Sequence, residues 1–343
     1  MKRFMARLWN NRLARTTASL VATAALFGIV SGVAQASGEI QRDLAVTSVS
    51  TMDPALRPAG VPTDYVITPN GFFPASCVQV VHANENLLAD GSIARVDGAL
   101  RKPAGCTQAH YNARGTRIEP DGRISLLSEV HSKPTINSWV IDTNYSSSVA
   151  IGRIVASWKV PTAPSSKSNQ VDYFFPGLEQ STSAAQSILQ PVLAWNGFND
   201  KAWTMTGWNC CVDGTTYHGD TISVSAGDSI VGDTYSTCAA GATCSTWAIL
   251  SSDTTKGTST TFKTNPYAAL TWVFGGVLEA YNISTCSQYP ASGSINFTNI
   301  AVYNLNKVQI ASPPWTKDYP VGSTSPQCNY GITATSSTTT LVF

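Results

Sequence analysis

The sequence predicts an all-β protein: an antiparallel β-sandwich or jelly roll over residues 151–343, preceded by a small mixed region over 37–150. Three observations lead there. Of the 343 residues, 43% are hydrophobic but only 13% charged, against roughly 25% charged in ordinary soluble domains. From residue 151 onward, short apolar or alternating runs are separated by Gly, Ser, Asn, Asp and Pro, which is the punctuation of strands and turns. No segment there carries an apolar stripe at helical spacing. Many close-spaced strands of this kind fold as sandwiches or jelly rolls.

Taken in order, the chain opens on a basic stretch with Lys2, Arg3, Arg7, Arg12 and Arg15, then the apolar LVATAALFGIV (20–30) and Ala34-Gln35-Ala36. This is the pattern of a secretory signal peptide over 1–36, with cleavage after Ala36. No later segment is apolar enough to span a bilayer as a helix, so a secreted product, extracellular or periplasmic, is expected. Residues 67–135 form a first block, with a short helix expected in NENLLADGSIARV (84–96) and three of the four histidines. Residues 136–150 read as a junction around the polar run TNYSSS. After it come the expected strands IGRIVASWKVP, VDYFFPG, SILQPVLAW, WTMTGWNC, TISVS, SIVGDTYS, STWAILSS, TSTTFK, LTWVFGGVLEAYNI, GSINFTNIAVYNL and GITATSSTTTLVF. Asn144, Asn282 and Asn296 head glycosylation sequons.

The formal net charge is +1, which points away from nucleic acid and from a polybasic membrane contact. Eight cysteines in a secreted chain read as disulfides. Sequence proximity pairs Cys77 with Cys106, Cys238 with Cys244, and Cys286 with Cys328. That leaves Cys210 and Cys211 as an adjacent pair, or exchanged with one of the others. No C-x-x-C and no close histidine pair supports a zinc site, so neither metal nor cofactor is expected.

The candidate chemistry follows from what is scarce. His218 stands outside any G-x-S-x-G elbow, and His131 lies at the border of the second block, so a Ser-His mechanism has little to build on. HExxH, Walker and GxGxxG motifs are absent. From residue 131 onward there are nine aspartates but only two glutamates, Glu179 and Glu279. Glu179 ends one apolar strand. Gln190 lies inside the next and shares a face with Ile188, Val192 and Ala194. Glu279 sits in ALTWVFGGVLEAYNI (268–282), and strict alternation gives it a face with Val273, Val277 and Tyr281. Each has an ordinary alternative: a strand-bonded amide for Gln190, a loop-edge residue for Glu179, a half-buried ion pair for Glu279. Trp195, Trp203, Trp208 and Trp272 are candidates for a substrate-binding cleft, with sandwich core as the alternative.

The order of these segments resembles a known family. Trp158-Lys159-Val160-Pro161, then FFPGLEQ, Ile188-Leu189-Gln190-Pro191, Ala202-Trp203, Gly207-Trp208, Gly227-Asp228, TWVFGGVLE and GSINFTNI are collinear with the motifs of the eqolisin-type glutamic peptidases over about 190 residues. Pro191 stands where the family has Thr-Gly, and Val-Phe-Gly-Gly lengthens the last motif. The resemblance implies a concanavalin-like sandwich, synthesis as a zymogen, and a dyad of Gln190 and Glu279. Neprosin-type relatives use two glutamates, which makes Glu179 the reserve candidate. A buried glutamate is expected to hold its proton beyond the usual range. It would take a proton from water and return it to the leaving amine, while the amide of Gln190 steadies the oxyanion. The expected function is a secreted endopeptidase acting in acid on protein or peptide substrates, as a monomer. The alternatives are a carbohydrate-binding or carbohydrate-active sandwich, using Glu179 with Glu279 or Asp228, and a catalytically silent secreted module.

Overall fold

The computed structural model describes residues 49–343 apart from 52, 113–115, 130–134 and 181–186. The expected signal peptide and His131 lie outside these residues. Nearly every described element is a strand. The N-terminal region contributes β1 (Tyr65–Thr68), β2 (Gly71–Pro74), β3 (Val78–Val80), β4 (Glu85–Leu87), β5 (Ile93–Arg95), β6 (Leu100–Arg101), β7 (His110–Tyr111), β8 (Thr116–Ile118) and β9 (Ile124–Glu129). The remainder supplies β10 (Ile136–Ser146), β11 (Ile151–Lys159), β12 (Val171–Glu179), β13 (Ile188–Trp195), β14 (Trp203–Val212), β15 (Thr215–His218), β16 (Ile222–Val224) and β17 (Ser229–Ser236). It ends with β18 (Trp247–Asp253), β19 (Thr258–Thr264), β20 (Trp272–Ile283), β21 (Ser294–Asn304), β22 (Thr316–Asp318), β23 (Gly331–Ala334) and β24 (Thr339–Val342).

Strands β1-β2-β7-β8-β9 and β4-β5-β6 form two small sheets, and the others form two large ones. The first runs β22-β10-β20-β12-β13-β14-β15-β3, with β16 also on β14; the second runs β19-β18-β17-β11-β21-β24-β23. All pairs are antiparallel except β15 with β3. Phe174, Leu178, Leu189, Leu193 and Met205 of the first sheet pack against Ile154, Trp158, Ile249, Phe262 and Phe297 of the second. That layer is the sandwich core. The opposite side of the first sheet is covered as well. Tyr173, Phe175, Val192, Trp208, Phe274, Val277 and Tyr281 form a second apolar cluster with Tyr65, Val66, Ile67, Phe72 and Phe73 of the N-terminal hairpin. Strands β12 and β13 are therefore buried along their whole length, as their near-continuous apolar sequences require.

Two expectations change here. The stretch 84–96 is a pair of strands rather than a helix: Asp90-Gly91 turns the chain, with Gly91 at φ 77° and Asp90 accepting the backbone N–H of Ser92. A D-G turn between short alternating runs favours a hairpin. Residues 136–146 are no junction; β10 is a strand of the first sheet, paired with β20 and β22. Some of its polar residues are bonded within the fold, as with Asn144 to Asp142 and Thr143 to Thr339. The sandwich thus begins at Ile136, before the expected boundary at 150.

The four disulfides are Cys77–Cys106, Cys210–Cys211, Cys238–Cys244 and Cys286–Cys328. The first lies within the N-terminal region and the others within the sandwich, so none ties one to the other. Close sheet packing is set by glycine at Gly232, where an added Cβ would meet Pro191 Cγ at 2.5 Å and Trp158 Cη2 at 2.8 Å. Gly232→Ala is expected to destabilise the protein by about 1–3 kcal/mol through overpacking, seen as a lower urea midpoint at unchanged m-value.

Candidate active site

The candidate residues sit on the side of the first sheet that faces the N-terminal hairpin. Alternation along β13 turns Gln190 to this side with Ile188, Val192 and Ala194, and Leu189 and Leu193 to the core. Gln190 is fully buried. Its Nε2 donates to the carbonyl of Pro69 at 3.1 Å and to Asn70 Oδ1 at 3.0 Å. Pro69 and Asn70 form the turn between β1 and β2, and Asn70 also donates to Thr216 Oγ1 at 2.8 Å. The amide oxygen of Gln190 is buried and accepts no hydrogen bond from the described residues. The β12–β13 ladder lapses beside it, between the pairs Phe174–Leu193 and Leu178–Leu189. Pro176 and Pro191 lie in this gap and offer no N–H to a ladder. Gly177 flanks Gln190, its missing Cβ only 3.6 Å from Gln190 Cβ.

Glu179 also faces this side. It is 7% exposed and pairs with Ile188 of β13 and Trp272 of β20. Gln190 is two residues beyond Ile188, so the two are diagonal neighbours on adjacent strands. Such positions are about 7–8 Å apart and within reach of long side chains. Trp208 lies opposite Gln190 on β14, stacked on Phe198 and tilted against His218.

Glu279 is elsewhere on the same face. It pairs with Tyr173 of β12 and Trp139 of β10, two strands and about four residues away from Gln190. At ~4.8 Å per strand and ~3.3 Å per residue, the backbone positions are roughly 16 Å apart. The register therefore does not bring the expected dyad of Gln190 and Glu279 together. Glu279 is fully buried, and its Oε1 accepts a hydrogen bond from the Tyr281 hydroxyl. Burial foremost, then the charge of Glu279, pushes the phenols of Tyr281 and Tyr173 well above their usual range. Glu279 keeps the expected face with Val277 and Tyr281, but Val273 does not share it. One extra residue of β20 is accommodated between Phe274 and Val277, a bulge at Gly275-Gly276 that reverses the alternation. Val273 consequently points into the sandwich core, while Trp272 and Phe274 join Val277 and Tyr281 on the covered side.

The tryptophans divide. Trp208 and Trp272 lie on the covered face, whereas Trp195 and Trp203 are in the sandwich core, packed edge-on against each other at 5.4 Å. They are core residues and do not line this face. Asp228 sits at the start of β17 in the other sheet, paired with Lys256. Glu179 and Glu279 are separated by six residues along β12, roughly 20 Å, beyond the about 5–9.5 Å between the carboxyls of a glycosidase. Cys210 and Cys211 are bonded to each other and offer no thiolate to a metal.

The hairpin spans the ground between Gln190 and Glu279. Its turn rests on Gln190; its strands rest on Tyr173, whose hydroxyl donates to the Ile67 carbonyl at 3.3 Å, and on Tyr281, which meets Phe72 edge-on at 5.1 Å. Sequence reasoning missed Asn70, Tyr173 and Tyr281. Two histidines are buried where the N-terminal region meets this face of the sheet. His110 stacks on Phe73 at 4.4 Å, beside the Cys210–Cys211 sulfurs. His218 is paired with Val80 of β3. Burial lowers His110 to about 4. It also lowers His218 to about 4, against opposing effects from the Gly219 carbonyl and Asp220.

No family model matches the chain, and neither does any curated protein. Among solved structures it is similar to scytalidoglutamic peptidase with a peptide-based transition-state analogue, at 15% identity and a TM-score of 0.44, covering 60% of this chain and 98% of that one. It is also similar to SCP-B, an Eqolisin-family peptidase in complex with the tripeptide Ala-Ile-His, at 16% identity and a TM-score of 0.42, covering 60% of this chain and 97% of that one.

Proposed function

We propose that the protein is a secreted, acid-acting peptidase of glutamic type, made with an N-terminal region that covers its active site. The observation that carries this reading is the seating of the hairpin turn on Gln190. Both N–H groups of a buried amide are engaged by the turn, one of them by a main-chain carbonyl. A substrate's scissile carbonyl would take the same donor once the turn has left. The nearest glutamate on the face is Glu179, and it is proposed as the acid/base in place of Glu279. In this scheme Glu179 takes a proton from water as that water attacks the carbonyl, then delivers it to the leaving amine. The Gln190 N–H groups hold the oxyanion, and the buried, unpartnered Gln190 oxygen orients the water. Trp208, Trp272, Phe175 and Phe274 would receive apolar side chains of the peptide. Glu279, bonded to Tyr281 under the base of the hairpin, has a structural part.

Removal of the cover is sterically feasible. No disulfide joins it to the sandwich, β3 is an edge strand, and a cut before Ile136 leaves β10 in place. Acid favours release. A histidine that is lowered in the folded state contributes stability that is full above its unfolded value near 6.5 and is lost as the pH falls towards the folded value. For His110 and His218 that window runs from about 6.5 down to about 4.

Casein cleavage by the acid-processed chain tests the assignment. Glu179→Gln is expected to lower kcat about 10²–10⁴-fold and Gln190→Ala about 10²–10³-fold, with Glu279→Gln retaining most activity. Undiminished cleavage by Glu179→Gln removes that residue from the mechanism, and an inert wild type after removal of residues 1–135 removes the peptidase reading. Separately, hydrogen exchange of the full chain is expected to show residues 65–74 losing protection between pH 6.5 and 4 while β12 and β13 keep theirs. Equal protection of the hairpin at both pH values would refute the acid release.

A further inference from the structure

The core side of β12 carries a second acidic group, unconnected with the catalytic reading. Asp172 is fully buried and faces the sandwich core with Phe174, one residue from Tyr173 on the hairpin side. Neither carboxyl oxygen has a hydrogen-bond partner among the described residues. Its cross-strand neighbours are Ala280 on β20 and Trp195 on β13, and Trp195 pairs in turn with Trp203 on β14. The indole N–H groups of both tryptophans are likewise buried without a partner. Tyr289 and Tyr330 are the titratable groups close enough to feel a charge on Asp172. Their hydroxyls are 3.1 Å apart, and that of Tyr330 also donates to the Pro326 carbonyl. Lys167 lies over the Trp195 ring, its Nζ 5.6 Å from the centroid. No charge among the described residues compensates Asp172: burial acts on its carboxyl and moves it well above the usual range.

We propose that Asp172 is a proton-operated lock on the sandwich, carried as the neutral acid in the native chain, whose ionisation loosens β12 between the strands that bear Gln190 and Glu279. A carboxylate with no partner in an apolar core is far costlier than the neutral acid. The sign follows from linkage. The folded chain holds this proton more tightly than the unfolded one, so the native state is favoured fully below the unfolded value near 3.9. That stability is lost as the pH rises from there towards the folded value, by up to about tenfold in the folding constant per pH unit for one proton. This runs opposite to the buried histidines where the N-terminal region meets the sheet: acid tightens the sandwich while it loosens the cover.

Thermal unfolding of the full chain between pH 4 and 7 tests this, with Asp172→Asn beside the wild type. The wild-type melting temperature is expected to fall with rising pH more steeply than that of Asp172→Asn, which lacks the proton. Parallel pH dependences for the two proteins would overturn the proposal. Isotope-edited infrared spectroscopy of wild-type protein with labelled aspartate decides the matter even if the variant does not fold. A protonated-carboxyl band persisting at pH 6 supports the lock, and its absence at pH 6 removes it.

Discussion

The central strands of the first sheet have no face in water, and most of what is distinctive about this protein follows from that. One side packs on the second sheet and the other lies under the N-terminal hairpin, so β12, β13 and most of β20 are buried on both sides. Any polar side chain on these strands needs a partner supplied by another element or an uncharged form. Gln190 finds its partners in the turn Pro69-Asn70, and Glu279 finds one in Tyr281. Asp172 finds none among the described residues and is left as a neutral acid.

The hairpin is therefore both a stabilising element and an obstruction. It contributes Ile67, Phe72 and Phe73 to a shared apolar cluster, and it occupies the donors of the amide best placed for chemistry. Because its own disulfide closes only within the N-terminal region, non-covalent packing is what holds it. Such packing is open to control by protonation. The buried histidines lie on the covered side of the first sheet and the buried aspartate on its core side, and they respond to pH with opposite sign. On the proposed reading, acid weakens the contact between cover and sheet and strengthens the sheet beneath, as the proposed acid-acting peptidase requires.

The candidate site illustrates how a bulge changes chemistry. A single residue accommodated at Gly275-Gly276 moves Val273 into the core and shifts the register between β20 and its neighbours. Strict alternation still places Glu279 on the correct side of the sheet. Depth along the strand is another matter, because it depends on which residues of β12 lie between. Tyr173 flanks Glu279 and Gly177 flanks Gln190, and that offset favours Glu179 as the neighbour of Gln190.

The sequence by itself determined the all-β class, nearly all the strands from Ile151 onward, and the face on which Gln190 lies. These depend on local periodicity and turn residues, which act over a few neighbours. Proximity pointed to Cys77–Cys106, Cys238–Cys244 and Cys286–Cys328 but left Cys210 and Cys211 open, and the fold joins those two to each other. The sequence did not determine that Thr143, Asn144 and Tyr145 of TNYSSS belong to a largely buried strand, since a partner such as Thr339 comes from a distant segment. Nor could it divide the four tryptophans between core and covered face, or distinguish Glu179 from Glu279. Those outcomes rest on cross-strand register and on the placement of a hairpin more than a hundred residues away in the chain, both of which tertiary packing alone decides.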